Sequence, residues 1–227
     1  MTLKEFWNRV YSKPRRLRRM RRHGLEAMKA FTKAMKDGGI PWTPVYGTLL
    51  GAIREKGFIK HDDDLDMGVW NDSLPGGLEH LHKTLSDAGF VLKHGFLVDG
   101  GKFAREETWT WHGLHVDIFF FDTIEGDTCR GYMFYPWKGC RNCGESIREH
   151  GGLRVVEFDL PLAHDREEVP FEDITVPITK SAEGFVVARY GTTWRIPDPT
   201  FVYPRPGVVG NRERNDKLAV RVPASEL

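Results

Sequence analysis

A mixed α/β (α+β) domain is what this 227-residue chain predicts, and three observations carry the prediction. Apolar residues recur at helical spacing in one stretch (Leu25, Met28, Phe31, Met35), whereas others are strand-like runs of aromatic and β-branched residues. No internal repeat or long low-complexity tract interrupts them. Helices mixed with non-repeating strands point to a sheet covered by helices.

In chain order, Lys13, Arg15, Arg16, Arg18, Arg19, Arg21 and Arg22 form a basic run ahead of the first apolar stripe, and its spacing makes one helix. "DGGIPW" ends that helix, with Gly38, Gly39 and Pro41 as breakers. "TPVYG" is a short strand candidate that gives way to the helix-like "TLLGAIREK". Residues 74–88 read as a helix capped near Asp72 or Ser73. Residues 90–98, 103–111 and 114–121 read as strands, with a hairpin through His112 and Gly113 joining the last two. Residues 129–150, rich in glycine, cysteine and aromatics, carry no period that assigns a structure. Residues 153–160 and 174–178 read as strands, and residues 181–190 as a helix starting near Thr179 or Ser181. The tail after Tyr203 is rich in proline and charge and is expected to be loose. The division is a basic helical segment over residues 1–40, the body of the domain over 41–203, and a loose tail over 204–227.

Composition narrows the function classes. With 40% hydrophobic and 29% charged residues and a formal net charge of +1, the chain has the make-up of a globular protein rather than a disordered or fibrous one. No apolar run approaches the roughly 20 residues of a membrane-spanning helix. The N-terminus lacks an apolar stretch followed by a small-residue cleavage site, so the expected residence is cytoplasmic. The basic run has two readings: a solvated helix face, or a surface attracted to anionic lipid headgroups or a polyanionic substrate, which would place the protein peripherally at a membrane. No nucleic-acid motif accompanies it, and no nucleic-acid partner is expected.

The acidic run is the informative feature. "GTLLGAIREKGFIKHDDDLDMGVW" sets Asp62, Asp63, Asp64 and Asp66 directly before a hydrophobic strand. In an extended segment Asp64 and Asp66 share one face while Leu65 and Met67 take the other. Two such carboxylates suit a hard divalent cation, Mg²⁺ or Mn²⁺, shared with substrate phosphates. Asp117, between Val116 and Ile118 in "HVDIFFFD", would be costly to bury unpaired and is the natural third metal carboxylate. Gly47 and Thr48 stand at a helix start, where free N–H groups and the helix dipole favour a phosphate; Arg54 follows two turns later. A strand, a Gly-Thr turn, a helix, an Asp-x-Asp strand and a later apolar-flanked Asp make the arrangement of the nucleotidyltransferase fold, with a mixed sheet flanked by helices.

The blocks "YGTLLGAIREKGFIKHDDDLDMGV", "HVDIFFFD" and "ARYGTTWRIPDP" resemble, in order, those of the LicD/fukutin family, over residues 42–199. The resemblance implies a metal-dependent transfer of a substituted phosphate, such as phosphocholine or ribitol phosphate. The donor would be CDP-linked and the acceptor a hydroxyl of a glycan or glycolipid. It makes Asp64, Asp66 and Asp117 the catalytic metal carboxylates, with Gly47, Thr48 and Arg54 at the phosphates. Asp117 is then the candidate to accept the hydroxyl proton. The chain departs from many relatives in having Lys60-His61 before the acidic run, where an aromatic is common. Asp62 and Asp63 read as neighbours of the metal or as caps, and Trp194 as pocket or core. Two rivals remain: a nucleotidyltransferase that releases pyrophosphate, and a silent module that holds a glycan or nucleotide.

Cys129, Cys140 and Cys143 are three, an odd number, so thiols or a metal site are expected rather than disulfides. The Cys-x-x-Cys half-site suggests a structural Zn²⁺ on all three, with His150, His112 or His115 as a fourth ligand.

Overall fold

A computed structural model describes residues 13–198, 201 and 210–227. The basic, then apolar, first stretch is one helix, α1 (Lys13–Asp37), which buries Met28, Phe31 and Met35 as its spacing requires. It is followed by β1 (Thr43–Pro44), α2 (Tyr46–Arg54), β2 (Asp64–Trp70), α3 (Gly77–Asp87), β3 (Val91–Val98), β4 (Ala104–Trp111) and β5 (Leu114–Glu125). The second half holds β6 (Thr128–Tyr135), α4 (Cys143–His150), β7 (Leu153–Pro161), β8 (Arg166–Phe171), β9 (Ile174–Thr179), α5 (Ala182–Tyr190) and β10 (Arg212–Pro223).

The main sheet has eight strands in the order β1-β2-β5-β4-β3-β10-β7-β6. β2 runs parallel to β5; the other pairings in it are antiparallel. β5 is long enough to pair twice, with β4 and β2 along most of its length and with β6 at Asp122–Glu125, so β5, β4, β3, β10, β7 and β6 form a closed ring of pairings. α1 packs on the back of β2 and β5 beside α3, whose Leu81 and Leu85 are fully buried. The main core joins these residues to Leu65, Met67, Val116, Ile118 and Phe120. A second, smaller cluster of Val98, Ala104, Tyr132, Leu153, Val155 and Ala219 belongs to the ring.

Three expectations are corrected. Within the tail expected to be loose, residues 212–223 are the strand β10, wedged between β3 and β7 and burying Ala219. Its alternating charges hid it, because Arg212 and Arg214 form ion pairs with Glu157 across the sheet. Residues 204–209 of that tail lie outside the described residues. The helix α1, within the segment set apart over residues 1–40, is part of the same body, since its apolar stripe belongs to the same core as the sheet. The helix expected from residue 74 begins at Gly77; a 3-10 turn over Asn71–Ser73 comes first, and Ser73 hydrogen-bonds His164 instead of capping. The stretch 129–150, which carried no sequence assignment, is β6 followed by a loop and α4, capped by the Asn142 side chain accepting from the Glu145 N–H.

Candidate active site

Period-two alternation and the β2–β5–β4 register build the site. Asp66 of β2 lies beside Asp117 of β5, and Asp117 lies opposite Thr108 of β4, so these side chains share one face of the sheet. On the same face, Asp64 lies two residues to one side of this row and Glu106 two residues to the other. The opposite face carries Leu65, Met67, Val116 and Ile118, all with no exposed surface. The strands are apolar behind and acidic in front.

The carboxylates crowd one another. Burial pushes Asp117 up to about 7, helped by Asp64 and opposed by a 2.7 Å hydrogen bond donated by the Thr108 hydroxyl to Oδ1. Burial, then the neighbouring acids Asp64, Asp62, Asp117 and Glu106, holds Asp66 well above the usual carboxylate range. Asp64 is raised by burial and by Asp63. Asp62 is pushed to about 7 by burial and by Asp64 and Asp63. Several acids cannot all ionise together in a partly dry space.

Some positive charge comes from α1. Arg16 Nε pairs with Asp63 at 3.0 Å, and Lys13 and Arg16 both oppose the rise of Asp64. Arg19 is also drawn inward, donating to the Gly113 carbonyl at 3.0 Å. The basic run is therefore divided: Arg16 and Arg19 face the protein, while Arg15, Arg18, Arg21 and Arg22 stay exposed.

The helix start lies against the acids. Tyr46 opens α2 with φ 44°, a left-handed conformation costing a non-glycine residue on the order of 1–3 kcal/mol. Its ring is held by Phe119 and Phe185. Gly47 then passes so close to Asp62 that a Cβ would stand 2.6 Å from Oδ2; a side chain here would collide with the Asp62 carboxylate. Thr48 is buried, and its hydroxyl accepts the Asp66 N–H at 2.9 Å, which ties the helix to the Asp-x-Asp strand. Its side chain positions Asp66. Arg54 Nη1 donates to the Trp194 carbonyl at 3.0 Å and Nε pairs with Glu55.

Beside the acids is a cavity of about 650 Å³, lined by Gly47, Arg54, His61, Asp62, Asp66, Tyr190 and Trp194 among others. His61 is exposed at its edge. The Tyr46 hydroxyl and Trp194 Nε1, both on residues lining it, are buried with no hydrogen-bond partner among the described residues. Such donors await an acceptor.

Glu106 was missed by sequence reasoning. Burial and Asp117 push it to about 8, and it shares the face of Asp117. The adjacent Glu107 points to the opposite face, where hydrogen bonds from His82 and Arg105 outweigh burial and hold it below the usual range. The pair "EE" in a strand implied one acid on each face; only the β4–β5 register shows which one meets Asp117.

The cysteines are not one site. Cys129 is fully buried in β6 and its thiol donates to the Leu162 carbonyl at 3.2 Å, because an apolar strand position places it in the core. Among the described residues, the set of three metal-ligating side chains with donor atoms within 4.8 Å of one another is Cys140, Glu149 and His150. His112 and His115, offered as alternatives to His150, lie elsewhere, around the β4–β5 turn. Asp64, Asp66 and Asp117 stand further apart than that limit. An all-oxygen donor set of this openness fits a hard cation such as Mg²⁺ or Mn²⁺, which completes its shell with water and substrate phosphates.

Residues 39–178 match the family described as LicD/FKTN/FKRP, nucleotidyltransferase domain. The chain is 28% identical over 185 residues to a mouse protein named ribitol-5-phosphate transferase FKTN, covering 80% of this chain and 35% of that protein. The proteins of that name from Macaca fascicularis and human are 25% and 24% identical over 188 residues, 82% of this chain and 36% of each. The chain thus spans about a third of the length of these curated relatives. With more than half of its residues matched by the family, and with the matched segment holding β2, β4 and β5, the chain belongs to the LicD/FKTN/FKRP family of nucleotidyltransferase domains.

Proposed function

We propose that this domain transfers a substituted phosphate, an alditol phosphate or phosphocholine, from a CDP-linked donor to a hydroxyl of a glycan or lipid-linked glycan. The observation that carries the reading is the convergence of Asp64, Asp66, Glu106 and Asp117 on one sheet face beside a cavity walled by Gly47, Arg54, Tyr190 and Trp194. The names of the relatives support an alditol phosphate as the transferred group.

Asp64, Asp66 and Asp117 would hold Mg²⁺ or Mn²⁺, which neutralises charge developing on the transferred phosphate. The chain's own residues do the remainder. The N–H groups at the start of α2 and the Arg54 guanidinium bind and orient the diphosphate. Tyr190, Trp194 and the Tyr46 hydroxyl shape the seat of the nucleoside and exclude water. Asp117, its carboxyl oriented by Thr108, takes the proton of the attacking hydroxyl. Attack on the phosphorus nearer the small headgroup breaks its bond to the bridging oxygen, and CMP leaves with that oxygen. We further propose that the exposed face of α1 rests on an anionic membrane surface; no described helix is long and apolar enough to cross one.

The test is incubation with Mg²⁺ or Mn²⁺ and a panel of CDP-alcohols, with CMP as the expected product, formed slowly with water when no acceptor is present. Pyrophosphate release from CTP, with no CMP from any CDP-alcohol, would assign nucleotidyl transfer instead.

A further inference from the structure

Away from the acid cluster, the loop after β6 folds back on α4. The Cys140 N–H donates to the Trp137 carbonyl at 3.0 Å, and the Trp137 N–H donates to Ser146 Oγ at 3.1 Å. Ser146 is fully buried and donates in turn to the Gly152 carbonyl at 2.8 Å. The Trp137 ring packs on His150, 5.3 Å between centroids. These bonds hold Cys140 over the last turn of the helix, with Sγ 3.7 Å from Glu149 Oε2. Cys140, Glu149 and His150 each offer a ligand atom within 4.8 Å of the others.

We propose that Cys140, Glu149 and His150 bind one Zn²⁺, with water in the fourth position because Glu149 and His150 are exposed. One sulfur, one imidazole nitrogen and one carboxylate oxygen form a borderline-soft donor set that suits Zn²⁺ and disfavours Mg²⁺. As the Zn–S bond forms, the Cys140 thiol releases its proton to solvent. Cys143 is not a ligand: it begins α4, about 10 Å of helix rise from His150. Burial, and after it the Glu106 carboxylate, raises the pKa of its thiol. The ion fastens the loop to the C-terminal end of α4. The site is a brace between the loop and α4, which packs on β7.

The full chain, in excess Mg²⁺ to occupy the acid cluster, is loaded with Zn²⁺, dialysed and analysed for metal. About one equivalent is expected in the wild type and in Cys143→Ser, with at least tenfold weaker retention in Cys140→Ser and in His150→Ala. Co²⁺ in place of Zn²⁺ should give a thiolate charge-transfer band in the near ultraviolet that Cys140→Ser abolishes. Thermal unfolding of the metal-free proteins establishes that each variant is folded. Equal zinc retention by folded Cys140→Ser and His150→Ala, or a loss in Cys143→Ser matching theirs, overturns the assignment.

Discussion

Asp117→Asn should stabilise the metal-free protein, and should do so only as the pH rises. The carboxyl's pKa moves from 3.8 to about 7 on folding, chiefly through burial. Between those values the folded state keeps a proton that the unfolded state has released, so raising the pH through this window costs the folded state stability. At about 1.4 kcal/mol per pH unit, the gap sets a ceiling of about 4 kcal/mol above pH 7. Asparagine never ionises and its Oδ1 still accepts from Thr108, so the variant avoids that loss. Asp62, Asp64, Asp66 and Glu106 ionise more readily once one acid is gone, which favours the variant further; a buried amide NH2 in place of the carboxyl oxygen subtracts about 1–3 kcal/mol, and the expected net gain is about 1–3 kcal/mol at pH 8. For a chain of this length that is about 2–10 °C in midpoint. The assay is urea unfolding of both proteins without metal at pH 4.5 and pH 8, with mutant and wild type compared at each pH. Saturating Mg²⁺ should then raise the wild type more than the variant, since a ligand stabilises the state that binds it. A variant destabilised equally at both pH values, or one whose gain does not grow with pH, would refute the picture of crowded buried acids.

Asp66→Asn is expected to lower turnover more than tenfold, at least about 1.4 kcal/mol of barrier, without loss of the fold; Glu106→Gln, missed in the sequence, should lower it in the same direction. Turnover measured beside thermal unfolding checks both, and near-wild-type rates would mean the carboxylates are wrongly assigned. Replacement of the exposed Arg15, Arg18, Arg21 and Arg22 by alanine should weaken binding to anionic vesicles, with the remaining affinity screened away at higher salt. Sedimentation with vesicles of stated anionic content measures this, and unchanged binding would return the segment to a solvated helix face.

The acidic face of the candidate site was legible because its alternation is written locally. The alternation Asp64-Leu65-Asp66-Met67 places two acids on one side of any strand and two apolar groups on the other, whatever the strand pairs with. The helical spacing of Met28, Phe31 and Met35 likewise fixed a buried stripe on α1. Pairing across the chain was not written locally. Glu106 joins the cluster and Glu107 does not because of the β4–β5 register, a relation between distant segments. β10 reads as a charged tail until Glu157 and Asp159 on β7 supply partners for Arg212 and Arg214. Nor does a sequence tell that Cys-x-x-Cys is split, with Cys140 beside Glu149 and His150 at the end of α4 and Cys143 at its start. Periodicity determines which face of an element is apolar; only tertiary packing decides which charges meet, because charge pairing depends on distances that the folded backbone sets.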